Sequence, residues 1–224
     1  MCFARISIFL ESRAMSEYTI YTKMLIGLLA IVNPIGAIPI ILSITNQATL
    51  AERKRISKTV VISVALILLI ALFLGEQVLH FFGISIDSFR VGGGILILIM
   101  SISMMKGHLS EAKQTKEEAE EGEMLSSVAV VPLSMPLLAG PGAISTVILY
   151  SHQSHTLQHK LIITFEIFVL STILWIVFLS IPWISRHISR TGINVFTRIM
   201  GLILAAISIE FISEGVKGLF PTLF

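Results

Sequence analysis

Long apolar runs alternate with short polar segments from residue 19 to residue 219. Each run has about the length a helix needs to cross a hydrocarbon core, roughly 20 residues. The pattern predicts membrane spans near residues 19–44, 59–79, 89–105, 127–150, 161–184 and 195–219. The polar segment 45–58, with Arg53, Lys54, Arg55 and Lys58, is expected as a loop between the first two. The most hydrophilic stretch, Lys106–Glu123, holds three lysines and six glutamates and divides the chain in two. The expected organisation is an extension over residues 1–18, a three-helix unit over 19–105, a charged loop over 106–126 and a second three-helix unit over 127–220.

Two of the six runs are interrupted. Asn33-Pro34-Ile35-Gly36 breaks the first, and Gly140-Pro141-Gly142 breaks the fourth. Proline removes a backbone donor and clashes with the carbonyl four residues back. Backbone groups freed in this way inside hydrocarbon need partners from protein or from a water-filled cavity. Pro39, Pro132 and Pro136 extend the irregular backbone around both breaks.

The breaks stand in register, at an offset of 107 residues (141 − 34). The same offset sets Ile86 on Ile193, Asp87 on Asn194, Phe89 on Phe196, Gly94 on Gly201 and Ser101 on Ser208. Several matches without a gap argue for a duplicated unit. A unit of three spans reverses direction, so its second copy is inverted about an axis in the membrane plane. The expected fold is therefore an all-α integral membrane protein of six transmembrane helices, arranged as two inverted three-helix repeats. Helices 1 and 4 are expected to be broken near mid-membrane.

Arg5, Arg13, Lys23, Arg90, Lys160 and Lys217 fall on the side of the N-terminus, and the other ten of the sixteen Lys and Arg residues on the opposite side. Positive charge favours the cytoplasm, which puts both termini in the periplasm and the charged loop inside. At the N-terminus, Ile6–Leu10 is too short for a signal segment, and Met15, before polar Ser16-Glu17, is expected to lie nearer the functional start.

Composition agrees with the span pattern. Only 13% of the residues are charged and 54% are hydrophobic, against about 25% charged in soluble domains. No dense basic block points to nucleic acid, and the single Cys2 excludes an internal disulfide or a cysteine cluster. Motifs for zinc proteases, serine hydrolases and phosphate-binding loops are missing, so neither an enzyme nor a cofactor is expected. Gly92-Gly93-Gly94 would cost an exposed helix roughly 1 kcal/mol per residue, but small residues let membrane helices approach closely.

Candidate chemistry sits at the breaks. Asn33 suits an N-cap and Pro34 the first helical position, so a half-helix N-terminus is expected to face the membrane interior. Gly140 and Pro141 take the same parts with opposite polarity. Two such positive ends would cradle a carboxylate, with Gly36 and Gly142 removing side chains where a ligand approaches. The expected substrate-binding residues are Asn33, Pro34, Gly36, Gly140, Pro141, Gly142, Ser145 and Thr146. Packing kinks alone explain the breaks otherwise, and back-bonding to the helix is an equal explanation of Ser145 and Thr146. Unwound carbonyls and Asn33 are assigned to the ammonium of a zwitterion. Glu210 and Glu166, acids inside expected spans, are candidate proton-relay groups. Asp87 and Asn194 read as helix caps, with Arg90 near Asp87 as a structural pair. His152, His155 and His159 share a helical spacing, but no acidic or cysteine residue lies near them in sequence, so no metal site is expected.

With these residues the chain resembles the MarC family of multi-pass bacterial membrane proteins. The resemblance runs from about Tyr21 to Phe220. It rests on the stretch from Asn33 to Pro39, on that from Phe82 to Arg90, on that from Pro136 to Ser145, and on Thr191-Gly192-Ile193-Asn194 with the following Thr197 to Leu202. It implies a bacterial inner-membrane location and, from members described as carriers of glycine and alanine, transport of small neutral amino acids. The wider relationship is to amino-acid exporters of the lysine-exporter type. The binding residues come from the chain itself, not from the resemblance. The leading expectation is a secondary transporter of a small neutral amino acid or similar zwitterion, with the lipid bilayer and that small molecule as its partners. The alternatives are a non-transporting scaffold or assembly partner, and an exporter of another small metabolite.

Overall fold

The computed structural model describes residues 19–38, 41–42, 49–106, 138–187 and 189–222. Among them the chain forms α1 (Thr19–Val32), α2 (Leu50–Phe81), α3 (Ile86–Lys106), α4 (Pro141–His152), α5 (Leu157–Leu179), α6 (Ile181–His187) and α7 (Arg190–Leu219). No strand occurs among the described residues. Pro39, Pro132, Pro136, residues 1–18 and nearly all of the charged loop lie outside them.

Among the described residues, four helices are long and apolar enough to cross a membrane: Ala51–Phe81, Ile86–Lys106, Leu157–Leu179 and Thr191–Leu219. Their outward faces are apolar, as Ile62, Leu66 and Ile70 show on α2 and Leu161, Phe165 and Phe168 on α5. The interior instead holds polar side chains, among them Ser101, Ser171, Thr197 and Ser208. Contiguous apolar surface on this scale is unfavourable in water and natural in hydrocarbon.

Capping corrects the expected boundaries. Thr49 Oγ1 accepts the Glu52 N–H while Glu52 Oε2 accepts the Thr49 N–H, a capping box that starts α2 well before residue 59. Much of the expected 45–58 loop is therefore helix. At 1.5 Å per residue α2 is about 48 Å long, against a core of about 30 Å, so its basic first turns extend past the hydrocarbon. At its other end Gly83, at φ 67, closes the helix, with the Ile84 N–H bonded to Leu79 C=O at 2.9 Å. Neither Asp87 nor Asn194 is a cap. Ser85 Oγ accepts the Ser88 N–H at 3.1 Å, and Ser189 Oγ accepts the Gly192 N–H at 3.2 Å. Arg90 pairs with Glu214 of α7 at 3.4 Å rather than with Asp87. The fifth run is also two helices: Pro182 has no N–H to continue the ladder, so α5 ends at Leu179 and α6 restarts.

Helix α7 lies antiparallel along α3. A β-carbon on Gly94 would meet Ser208 C=O at 3.0 Å, and one on Gly201 would meet Ser101 C=O at 3.0 Å. Ser101 donates to Leu98 C=O at 2.7 Å and Ser208 to Ala205 C=O at 2.7 Å. Each contact maps onto the other at the 107-residue offset (201 − 94). Close approach needs glycine at both positions, because a carbonyl of the facing backbone cannot move aside without parting the helices.

One end of the bundle gathers the start of α1, the end of α2, the start of α3, the end of α4, the start of α5 and the end of α7. Tyr21 bonds His159 Nδ1 at 2.8 Å, His159 Nε2 bonds Tyr150 C=O at 2.8 Å, and Glu76 bonds His152 at 2.9 Å. Gly218 packs on Asp87. A carbonyl only accepts, so His159 Nε2 carries a proton; in the neutral imidazole Nδ1 then accepts from the Tyr21 hydroxyl.

Candidate functional site

Helix α1 stops because Asn33 turns left-handed, with φ 46. Its N–H still reaches Leu29 C=O at 2.9 Å, completing α1, and its own C=O accepts Ala37 N–H at 3.1 Å, opening the next turn. Its side chain caps that turn, Oδ1 accepting the Gly36 N–H at 3.1 Å. Asn33 therefore ends one helix and caps the next. Asparagine tolerates the left-handed region better than other residues with a β-carbon, and Pro34 fits the first position after it. A side chain at residue 36 would run into the Asn33 amide.

Only an oxygen can accept the Gly36 N–H, so the other amide atom of Asn33 is an NH2 donor. That Nδ2 is buried, on a residue with 0% exposure, and has no hydrogen-bond partner among the described residues. An unpartnered buried amide donor costs about 1–3 kcal/mol. It suits an acceptor such as a carboxylate; the ammonium contact expected of Asn33 would fall to Oδ1, which already accepts the Gly36 N–H.

Helix α4 begins differently. Gly140 is extended, at φ −66 and ψ 177, with no side-chain cap, and Pro141 follows at the first position. Gly142 is buried between α1 and α3: a β-carbon there would lie 3.3 Å from Ile31 Cγ2, 3.2 Å from Ile97 Cγ1 and 3.3 Å from Met100 Sδ. Ile31 is two residues before Asn33, so the start of α4 abuts the end of α1. Both are too short to cross the membrane alone, with the 12 residues of α4 rising about 18 Å. Gly140 is buried like Gly142, whereas Pro141 is exposed.

The remaining expected residues separate. Ser145 is buried against Gly93 of α3. Thr146, also buried, donates to Gly142 C=O at 2.8 Å, the helix back-bond weighed against a ligand contact. Glu166 is buried on α5, and its Oε2 has no partner among the described residues. Glu210 lies on the exposed face of α7, one turn before Glu214.

The chain matches the family model described as MarC family integral membrane protein over residues 18–220. It belongs to the MarC family. It is therefore a multi-pass integral membrane protein. It is 47% identical over 207 residues to the UPF0056 membrane protein YhcE of Escherichia coli (strain K12), covering 92% of this chain and 96% of that one. Similarity reaches distant organisms. The UPF0056 membrane protein of Aquifex aeolicus (strain VF5) is 34% identical over 206 residues, 92% of this chain and 96% of its own. The UPF0056 membrane protein MJ1677 of Methanocaldococcus jannaschii is 38% identical over 193 residues, 86% and 93% of the two chains. No solved structure matches the chain.

In this MarC chain, the sequence reading missed residues that lie far from the breaks in sequence. Ile97 and Met100 of α3 line Gly142, and nothing in an apolar span distinguishes them from their neighbours. Glu76 reaches His152 from 76 residues away. Its position inside an apolar helix, next to Gly75, was the available signal, because intramembrane acids rarely lack a partner.

Proposed function

We propose that the chain is a secondary transporter of small neutral amino acids, or similar small zwitterions, across the bacterial inner membrane. In this reading six spans form two inverted three-helix repeats, with α1 and α4 as half-helices whose continuations complete the first and fourth spans. The reciprocal glycine contacts of α3 and α7 support the inverted relationship. The alternation of helix ends supports a common face for the starts of α1, α3 and α5, which the distribution of basic residues assigns to the periplasm.

One observation carries the proposal: a fully buried amide donor without a partner among the described residues, at a helix break, beside the N-terminus of a second half-helix. A substrate carboxylate satisfies that donor and takes the positive end of the α4 dipole together. Rocking of one repeat against the other would expose the site to each side in turn. Glu166, buried and with one oxygen unpartnered among the described residues, is the better placed of the two candidate proton-relay residues; Glu210 would serve from the surface of α7.

The test is Asn33→Asp in proteoliposomes, with labelled alanine and glycine. Aspartate keeps the size, the cap on Gly36 and tolerance of the left-handed backbone, but replaces the donor with an acceptor that repels a carboxylate. Wild type should accumulate or exchange label, and Asn33→Asp should lose that activity while still folding, its unpaired buried carboxylate lowering the melting temperature. Transport equal to wild type in the variant would remove Asn33 from the site, and no transport by wild type would refute the substrate class.

A further inference from the structure

Away from the breaks, where α2 and α4 end, three metal-ligating side chains converge. His152 Nδ1 lies 2.9 Å from Glu76 Oε1, and His155 Nδ1 lies 3.7 Å from Glu76 Oε2. The two imidazoles meet edge to face with centroids 5.5 Å apart. One ligand atom from each residue can be chosen so that all lie within 4.8 Å of one another. We propose that Glu76, His152 and His155 form a binding site for a divalent transition-metal ion of the zinc class.

A plain histidine–carboxylate hydrogen bond explains His152 but not His155. The second imidazole is turned to the other oxygen of the same carboxylate, at a distance too long for a hydrogen bond. A tetrahedral zinc ion, with bonds of about 2.0–2.1 Å, holds its ligands about 3.3 Å apart. His155 is the most exposed of the three, at 65% of its side chain, and sits in the turn between α4 and α5, so its rotation closes the gap. Two imidazoles and one carboxylate suit zinc, nickel or copper, whereas calcium and magnesium need more oxygen ligands. The two helices are already held together one turn below, where Ile148 of α4 packs on Gly75 of α2. That contact fixes two of the three ligands on rigid elements before any ion binds.

The site joins a helix of the first half to one of the second, and α4 runs from it to Gly140. A bound ion would clamp α4 against α2 and hinder any motion of one half on the other. Only this inhibitory consequence rests on the transport reading; the binding itself does not.

Tag-free protein in detergent, stripped with a chelator, is titrated with Zn2+ by calorimetry and melted with and without Zn2+. Wild type should bind one ion per chain and melt higher with it. Glu76→Gln and His155→Asn should each weaken binding by about tenfold or more, at least the loss typical of a ligand's supporting partner. Co2+ should give visible absorption bands in wild type that His155→Asn lacks, and Mg2+ should leave the melting temperature unchanged. Absence of Zn2+ binding by wild type overturns the site, and so does equal binding by the His155→Asn protein, whose exposed position keeps its fold intact. In proteoliposomes Zn2+ should slow wild-type transport and spare His155→Asn; equal inhibition of both would overturn the clamp while the titration still decides the site.

Discussion

At the end of α1 the chain turns on an asparagine, and at the start of α4 it turns on a glycine, although the two positions correspond in the 107-residue register (140 − 33). Asn33 takes a left-handed backbone and caps the next turn with its own side chain. Gly140 takes an ordinary extended backbone and has no side-chain cap. The first break is held by a side chain. The second is shaped by space, because Gly142 is pressed between Ile31, Ile97 and Met100. Two breaks that correspond in the sequence register can thus be built by different physical means. The first break leaves a buried donor, and the second gives a close approach.

The largest expected effect tests the second half of that contrast. Gly142→Leu would force four carbons into a gap where a single β-carbon already stands 3.2 Å from Ile97. Overpacking on this scale costs about 3 kcal/mol, the upper end for core insertions. The variant should melt well below wild type in detergent and lose transport. A melting temperature equal to wild type would mean that α1, α3 and α4 are not packed at Gly142.

The first break should respond to backbone conformation rather than to volume. Asn33→Leu places an ordinary side chain at positive φ, at roughly 1–2 kcal/mol, and removes a cap worth about 1 kcal/mol. Asn33→Gly removes the same cap but relieves the strain. The leucine variant should therefore melt distinctly lower than the glycine variant, which should stay near wild type. If both fell equally, the left-handed turn would not be what ends α1.

Much of the fold was legible because hydropathy, length and glycine placement are local properties. The long spans, the turn at Gly83, the break at Asn33 and the start of α4 at Pro141 all follow from such signals. Boundaries failed where a weaker local signal was passed over. Thr49-Leu50-Ala51-Glu52 carries the capping-box spacing, yet the charges of Arg53–Lys58 gave the segment the look of a loop. Pro182 likewise marks the end of α5. The candidate site was legible as positions but not as chemistry. Which atom of Asn33 is left over depends on the Gly36 N–H, and that is a matter of three-dimensional geometry. The pairing of Glu76 with His152 and His155 was out of reach for the same reason: helices packed side by side bring together residues that no spacing rule connects.

The smallest expected effect concerns Thr146, where a ligand contact and a helix back-bond were equal readings. Its hydroxyl donates to Gly142 C=O at 2.8 Å inside its own helix, in a buried position. Such back-bonds contribute little and slightly bend the helix that carries them. Thr146→Val keeps the shape and removes the hydroxyl, so the helix retains its ladder and no backbone donor is orphaned. Gly142 C=O loses one of its two partners and keeps the capacity to accept from the N–H one turn on. The stability should change by about a few tenths of a kcal/mol at most, leaving the melting temperature near wild type, and transport of alanine should stay within about twofold of wild type. A large loss of transport at an unchanged melting temperature would return Thr146 to the substrate. The α4 start would then contribute a side-chain donor as the α1 break does, and the contrast between the two breaks would narrow to their backbones.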